Sequence, residues 1–255
     1  MKQQVRLHIT PIKQYDNECA SACLTMVLKA YGVEVQQEEI IHQIPAETPK
    51  WREWLYWVGV VARKYKCSAE IISMNTQILD PSWQKLSPQQ LVSKLKKELM
   101  FIRNIKETKQ EPYQYYFKEH WIELEEWEIR AALSFLRVGG IINIISTTQQ
   151  VISQKLSQGH LGIASVDAAI LYQSVRGIPI SNDVCGSTWG HVVVIAPSAS
   201  PFKVTVIDPA DWYTPKQKFF IPYGLLIESI LRRDQNILFI KKSPPNRMER
   251  YRRGR

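Results

Sequence analysis

The stretch YDNECASACLTMVLKAYG, residues 15–32, decides how the rest of the chain is read. Cys19, Cys23, Met26, Val27 and Ala30 recur at i, i+4, i+7, i+8 and i+11, which is one face of a helix. Gly32 closes that helix, where a left-handed cap costs least without a Cβ. Cys19 stands where the helix should begin, with Asp16 or Asn17 as N-cap. Unpaired N–H groups and the helix dipole at such a start favour a thiolate. Cys23 lies one turn deeper, where that benefit has faded, and reads as core. Cys19 is therefore either one more small apolar residue on a packed face or a nucleophile, and the remaining residues must decide.

The chain has 255 residues, 45% of them hydrophobic, with eight Trp, enough to bury a sizeable core. Four cysteines without regular spacing make no disulfide framework, so reduced thiols in a cytoplasmic setting are expected. The first residues, MKQQVRLHITPIKQ, lack the apolar run of a secretory signal, and no stretch reaches 18 apolar residues. Net charge is +9, and the last residues, KKSPPNRMERYRRGR, are dense in Lys and Arg. Such a tail, from 243 to 255, reads as a basic disordered terminus that could meet an acidic or nucleic-acid partner.

Helices are expected at 36–43, at the aromatic-rich 51–65, at 87–106 behind a Ser-Pro start, and at 124–137 before Gly139-Gly140. Trp51, Trp54, Leu55 and Val58 fall at helical spacing, which favours packing over base stacking. A short strand, CSAEIIS, follows the second of these, and residues 106–120 read as a surface loop. From residue 140 onward β-branched and aromatic runs take over: 140–146, 191–197, 203–210, 217–222 and 236–242. Helices followed by adjacent strands predict an α+β domain with a mostly antiparallel sheet, its helical and sheet lobes meeting near residue 138.

A nucleophilic thiol needs a base. His191, in STWGHVVVIAP, opens a buried strand behind a glycine, and Asp208, in VTVIDPAD, ends the next. Two adjacent antiparallel strands would bring the two to one edge, where the carboxylate can orient the imidazole. Asp211 is a competitor for that role, because DPAD also reads as a turn. Gln14, five residues before Cys19, could donate its amide to an oxyanion. His160, in SQGHLGIAS, also follows a glycine and ranks second as base, whereas His8, His42 and His120 sit in polar stretches. Cys-x3-Cys on one helix with no second pair is a poor ligand set, so no metal and no cofactor are expected.

The order Gln14, Glu18-Cys19, Ala22, Leu24, Met26, Tyr31-Gly32 resembles the papain-like cysteine peptidases, and within them the double-glycine (bacteriocin leader) peptidase-like group. The wider order is similar to the guanylyl cyclase domain-containing proteins: a Trp-rich helix, a helix leading to a buried strand, Gly190-His191, Asp208-Pro209-Ala210 and Ile237-Leu238-Phe239. No residues here resemble a nucleotide cyclase metal site. The resemblance implies a papain-like fold with Cys19 as nucleophile, His191 as base then acid, Asp208 as orienter and Gln14 as oxyanion donor. It further implies thiol-dependent hydrolysis of a peptide or protein substrate. Ala20 stands where the group commonly has Gly, and the 172 residues from Cys19 to His191 imply an insertion, expected within 66–120 of a single domain spanning 1–242. Three other classes fit the same residues: a papain-fold acyltransferase of the transglutaminase or phytochelatin synthase kind, a catalytically silent binding module, and a basic nucleic-acid binder.

Overall fold

The computed structural model describes residues 7–45, 55–108, 119–177, 181, 183–211 and 217–243. The first helix, α1 (Cys19–Ala30), begins at the predicted cysteine. Its N-cap is Glu18, not Asp16 or Asn17, and no side chain caps it. Asp16 instead takes a left-handed turn (φ 37°), which points the chain into the helix from the wrong direction for an Asx cap. Residues 20 to 28 are all buried, so α1 is enclosed on every side and not along one face. Its two buried hydroxyls are satisfied locally, Ser21 Oγ donating to the Glu18 carbonyl and Thr25 Oγ1 to that of Ser21. Gly32 ends the helix at φ +71°, with the Val33 N–H reaching back to the Leu28 carbonyl.

Two further helices, α2 (Gln37–Ile41) and α3 (Leu55–Lys64), lead into β1 (Cys67–Ser73). A 3-10 turn (Pro81–Lys85) precedes α4 (Pro88–Thr108), whose start carries the reciprocal Ser87–Gln90 bonds of a capping box. Next comes α5 (Glu119–Arg137), so helix occupies both flanks of the stretch expected as a loop; residues 109–118 lie outside the described residues. The order then runs β2 (Ile141–Ile144), α6 (Gln149–Ser157), β3 (Leu161–Asp167), α7 (Ala168–Tyr172), β4 (Gly190–Ala196), β5 (Lys203–Ile207), β6 (Lys218–Pro222), α8 (Tyr223–Leu231) and β7 (Asn236–Lys242).

The seven strands form one sheet in the order β2-β1-β7-β3-β4-β5-β6. Only β1 and β2 pair in parallel; every other neighbour is antiparallel. The α+β class and the packing of the Cys19 helix on a largely antiparallel sheet are thus as expected. Strand alternation splits the core. One face sets Ile71, Ile163, Val194 and Leu238 against α1, α3, α4 and α5; the other sets Ile72, Ala164, Val193 and Phe239 against α6, α7 and α8. Close packing holds α3 and α5 together, since a Cβ on Gly59 or Gly140 would lie 2.5 or 2.4 Å from the Phe135 ring. The lobe division at residue 138 does not divide the sheet: β1, early in the chain, pairs with β7 over seven positions.

Candidate active site

Register brings the site together. In the β4–β5 hairpin Val194 faces Ile207 and Ala196 faces Thr205. Continuing that register sets position 208 opposite 193, so His191 and Asp208 lie diagonally on one face at the end of the hairpin. The side chains meet there, with His191 Nε2 2.8 Å from Asp208 Oδ1, both buried. A carboxylate can only accept, so Nε2 carries the proton of that bond. Cys19, half-buried at the first position of α1, is near enough to the same ring to help raise its pKa. With Nε2 engaged by Asp208, the nitrogen left to the thiol is Nδ1. Cys23, one turn deeper, is fully buried and its Sγ donates to the Val192 carbonyl at 3.3 Å, which fastens α1 to β4.

The carboxylate is held by more than the histidine. Tyr172 Oη donates to Asp208 Oδ2 at 2.5 Å and the Ala210 N–H donates to Oδ1 at 2.8 Å. Asp208 thus accepts three hydrogen bonds in a site closed to solvent, the condition under which a buried carboxylate is stable. Tyr172 was not read from the sequence. It ends a five-residue helix whose N-cap, Asp167, accepts from the Ile170 N–H, and that Asp-x-x cap was the available signal. Burial, and then the facing Asp208 carboxylate, push the Tyr172 hydroxyl far above the ordinary tyrosine range, so it stays a donor. Burial alone would lower the His191 pKa, but the hydrogen bonds from Asp208 and Cys19 and their charges outweigh it and raise it to about 9.

Gln14 is buried beside the Asp208 turn, where its backbone N–H donates to the Pro209 carbonyl at 2.9 Å. Its side-chain Nε2 donates to the Asp16 carbonyl at 2.5 Å, and its Oε1 is buried without a partner. The competitors fall elsewhere. Asp211 is exposed and paired with Lys13 Nζ at 2.8 Å. His160 Nδ1 is 3.1 Å from the Lys155 carbonyl, at the opposite end of the sheet. Among the described residues no group of three or more His, Cys, Asp or Glu is placed to hold a metal ion. No helix there is long and apolar enough to cross a membrane. Trp51, Trp54 and the basic tail from 244 onward lie outside the described residues.

Comparison with known proteins adds the following. No curated protein matches the chain. A crystal structure described as that of a candidate C39-like peptidase from Bacillus anthracis aligns with 96% of this chain and 100% of its own, at 11% identity and a TM-score of 0.42. Similarity to the guanylyl cyclase domain-containing proteins is not shown, and nothing supports a nucleic-acid partner. The family model of Peptidase C39 matches residues 9–121, a stretch that contains Gln14 and Cys19, and it supports a cysteine peptidase.

Proposed function

We propose that the chain hydrolyses amide bonds of a peptide or protein through an acyl-enzyme on Cys19, within a papain-like unit extending to about residue 242. The observation that carries this is the His191–Asp208 hydrogen bond, with Cys19 near enough to the same ring to raise its pKa. In this reading His191, protonated below about pH 9, already holds the thiol proton as an imidazolium when Cys19 Sγ attacks the substrate carbonyl. The sulfur–carbon bond forms, and the tetrahedral oxyanion faces the start of α1, where the helix dipole favours negative charge. Gln14 assists there with one amide hydrogen, the other being spent on the Asp16 carbonyl.

Collapse of that intermediate breaks the carbon–nitrogen bond, and His191 returns its proton to the leaving amine. Water, deprotonated by the same imidazole, then cleaves the thioester and restores the thiol. Asp208, held by Tyr172 and Ala210, keeps the ring in the orientation that presents Nδ1 to sulfur. Much of 66–120 is additional chain between nucleophile and base: α4 lies against α5, apart from β4 and β5.

The test is intact-protein mass spectrometry after mixing with a set of peptide thioesters and amides. An acyl adduct on Cys19 that decays in water, and is absent in Cys19→Ser, supports the reading. Decay only on addition of an amine or thiol acceptor would make the chain an acyltransferase. No adduct with any peptide would overturn the assignment.

A further inference from the structure

Residues of α3, α4 and α5, with Pro45, line an open pocket of ≈ 410 Å³. That volume is within the range of small-ligand sites, about 300–1,000 Å³. None of its lining residues belongs to α1, β4 or β5, so it is separate from the Cys19 site. Trp57 from α3 and Trp127 from α5 give it flat apolar walls, and Arg103 from α4 with Arg130 and Arg137 from α5 surround them. The two α5 arginines are seven residues apart, two turns along one face, so both reach the same opening.

The polar groups are arranged as in a site that awaits an anion. Glu126 Oε1 accepts from Arg103 at 3.0 Å and from Arg130 at 2.6 Å, so one carboxylate orders two guanidiniums while leaving most of their donors without a partner among the described residues. Arg130 is further held over the Trp127 ring, 5.3 Å from its centroid. Arg137 has no recorded partner among the described residues. Three arginines line the cavity, and no carboxylate is among its lining residues. Trp57 also carries an Nε1–H that is buried with no acceptor among the described residues, a vacancy that native proteins rarely leave open.

We propose that this cavity binds a small anion whose carboxylate or phosphate is carried on a flat apolar body. The oxyanion meets the guanidinium forks, which match such oxygens bidentately, and the body lies against the indoles. The inference stands apart from the peptidase reading, since it uses none of the residues around Cys19.

The experiment is a titration of the full chain in low salt, followed by the ¹⁵N–¹H indole signal of Trp57, assigned with Trp57→Phe. The probes are phenyl phosphate, phenylacetate and the neutral benzyl alcohol. The expected result is a saturable shift with at least one anion and binding at least about tenfold weaker for benzyl alcohol, with affinity falling as salt rises. Arg137→Gln, at an exposed position and with its fold checked by circular dichroism, should weaken the anion by about tenfold or more, the loss of a charged hydrogen-bonding partner. Lys218→Gln, on β6, should not. A response to phenyl phosphate alone, or to phenylacetate alone, would identify which oxyanion the site prefers. A Trp57 signal unmoved by both anions, equal affinity for benzyl alcohol, or undiminished affinity in Arg137→Gln would overturn the proposal.

Discussion

Two histidines of this chain follow a glycine and lead into an apolar strand, His160 at β3 and His191 in β4. The two strands are antiparallel neighbours, with Gly162 opposite Ile195 and Val166 opposite His191, so the rings lie at opposite ends of one strand pair. His160 meets a backbone carbonyl, and the nearby acid, Glu70, is already taken by Lys155. Burial, and then the charges of Lys155 and Lys241, outweigh that carbonyl and Glu70 and lower its pKa. At His191 burial acts in the same direction but is overcome by Asp208 and Cys19, and the pKa rises to about 9. The local sequence is nearly the same; the sign of the shift is set by which residues the neighbouring elements deliver. A glycine–histidine–strand pattern therefore marks a position, and the carboxylate at the end of the next strand sets its ionisation.

The largest expected effect breaks this contrast outright. Cys19→Ala or His191→Ala should lower kcat/KM for a peptide substrate by roughly 10³-fold or more, whereas His160→Ala should leave it within about threefold. Steady-state kinetics on the three variants decides it. Equal losses at the two histidines would remove the distinction.

Asp208→Asn should follow, with kcat reduced on the order of 10²-fold, because the imidazole loses the charge that supports its protonated form. The ¹⁵N-detected titration of His191 in that variant should move down from about 9, while His160 stays below the ordinary 6.5. Tyr172→Phe sharpens the comparison on a smaller scale. Removing the hydroxyl deletes one of three donors to a buried carboxylate, which should cost about 1–2 kcal/mol in urea denaturation and only a few-fold in kcat.

Stability against pH should carry opposite signs at the two rings. His191, raised above 6.5, contributes stability that is fully present below pH 6.5 and is lost as pH rises through about 9. His160, lowered, opposes folding only as pH falls below 6.5. Thermal midpoints between pH 7 and 10 should therefore fall less steeply in His191→Gln than in the wild type, and those of His160→Gln should follow the wild type. The smallest effect is expected of Tyr31→Phe. Its hydroxyl donates to the Gly159 and Ile240 carbonyls, so the variant should lose about 1 kcal/mol of stability with its activity intact.

The helix from Cys19 to Ala30 was legible because its ends are punctuated, by the start of apolar spacing and by Gly32. The meeting of His191 and Asp208 was legible because consecutive short strands joined by a six-residue connection pair antiparallel, which brings the start of one to the end of the other. Other features left weaker traces. β3 is buried at all seven positions, so LGIASVD shows no alternation and reads as a patch, not a strand. Helix α8 has Gly at its second position and is held by packing of Leu226 and Ile230 onto the sheet, which propensity does not reveal. Tyr172 reaches Asp208 across 36 residues, and only the fold joins them. Glu18 displaced the expected caps because a left-handed residue at Asp16 redirects the chain.

The measurement that bears most directly on the Cys19–His191 pair is the pH dependence of Cys19 alkylation by iodoacetamide, read by peptide mass spectrometry in wild type and His191→Ala. The account predicts that Cys19 labelling in the wild type outpaces that of Cys67 and changes as His191 loses its proton near pH 9, and that both features are lost in the variant. Labelling of Cys19 no faster than that of buried Cys67, and indifferent to His191, would contradict it.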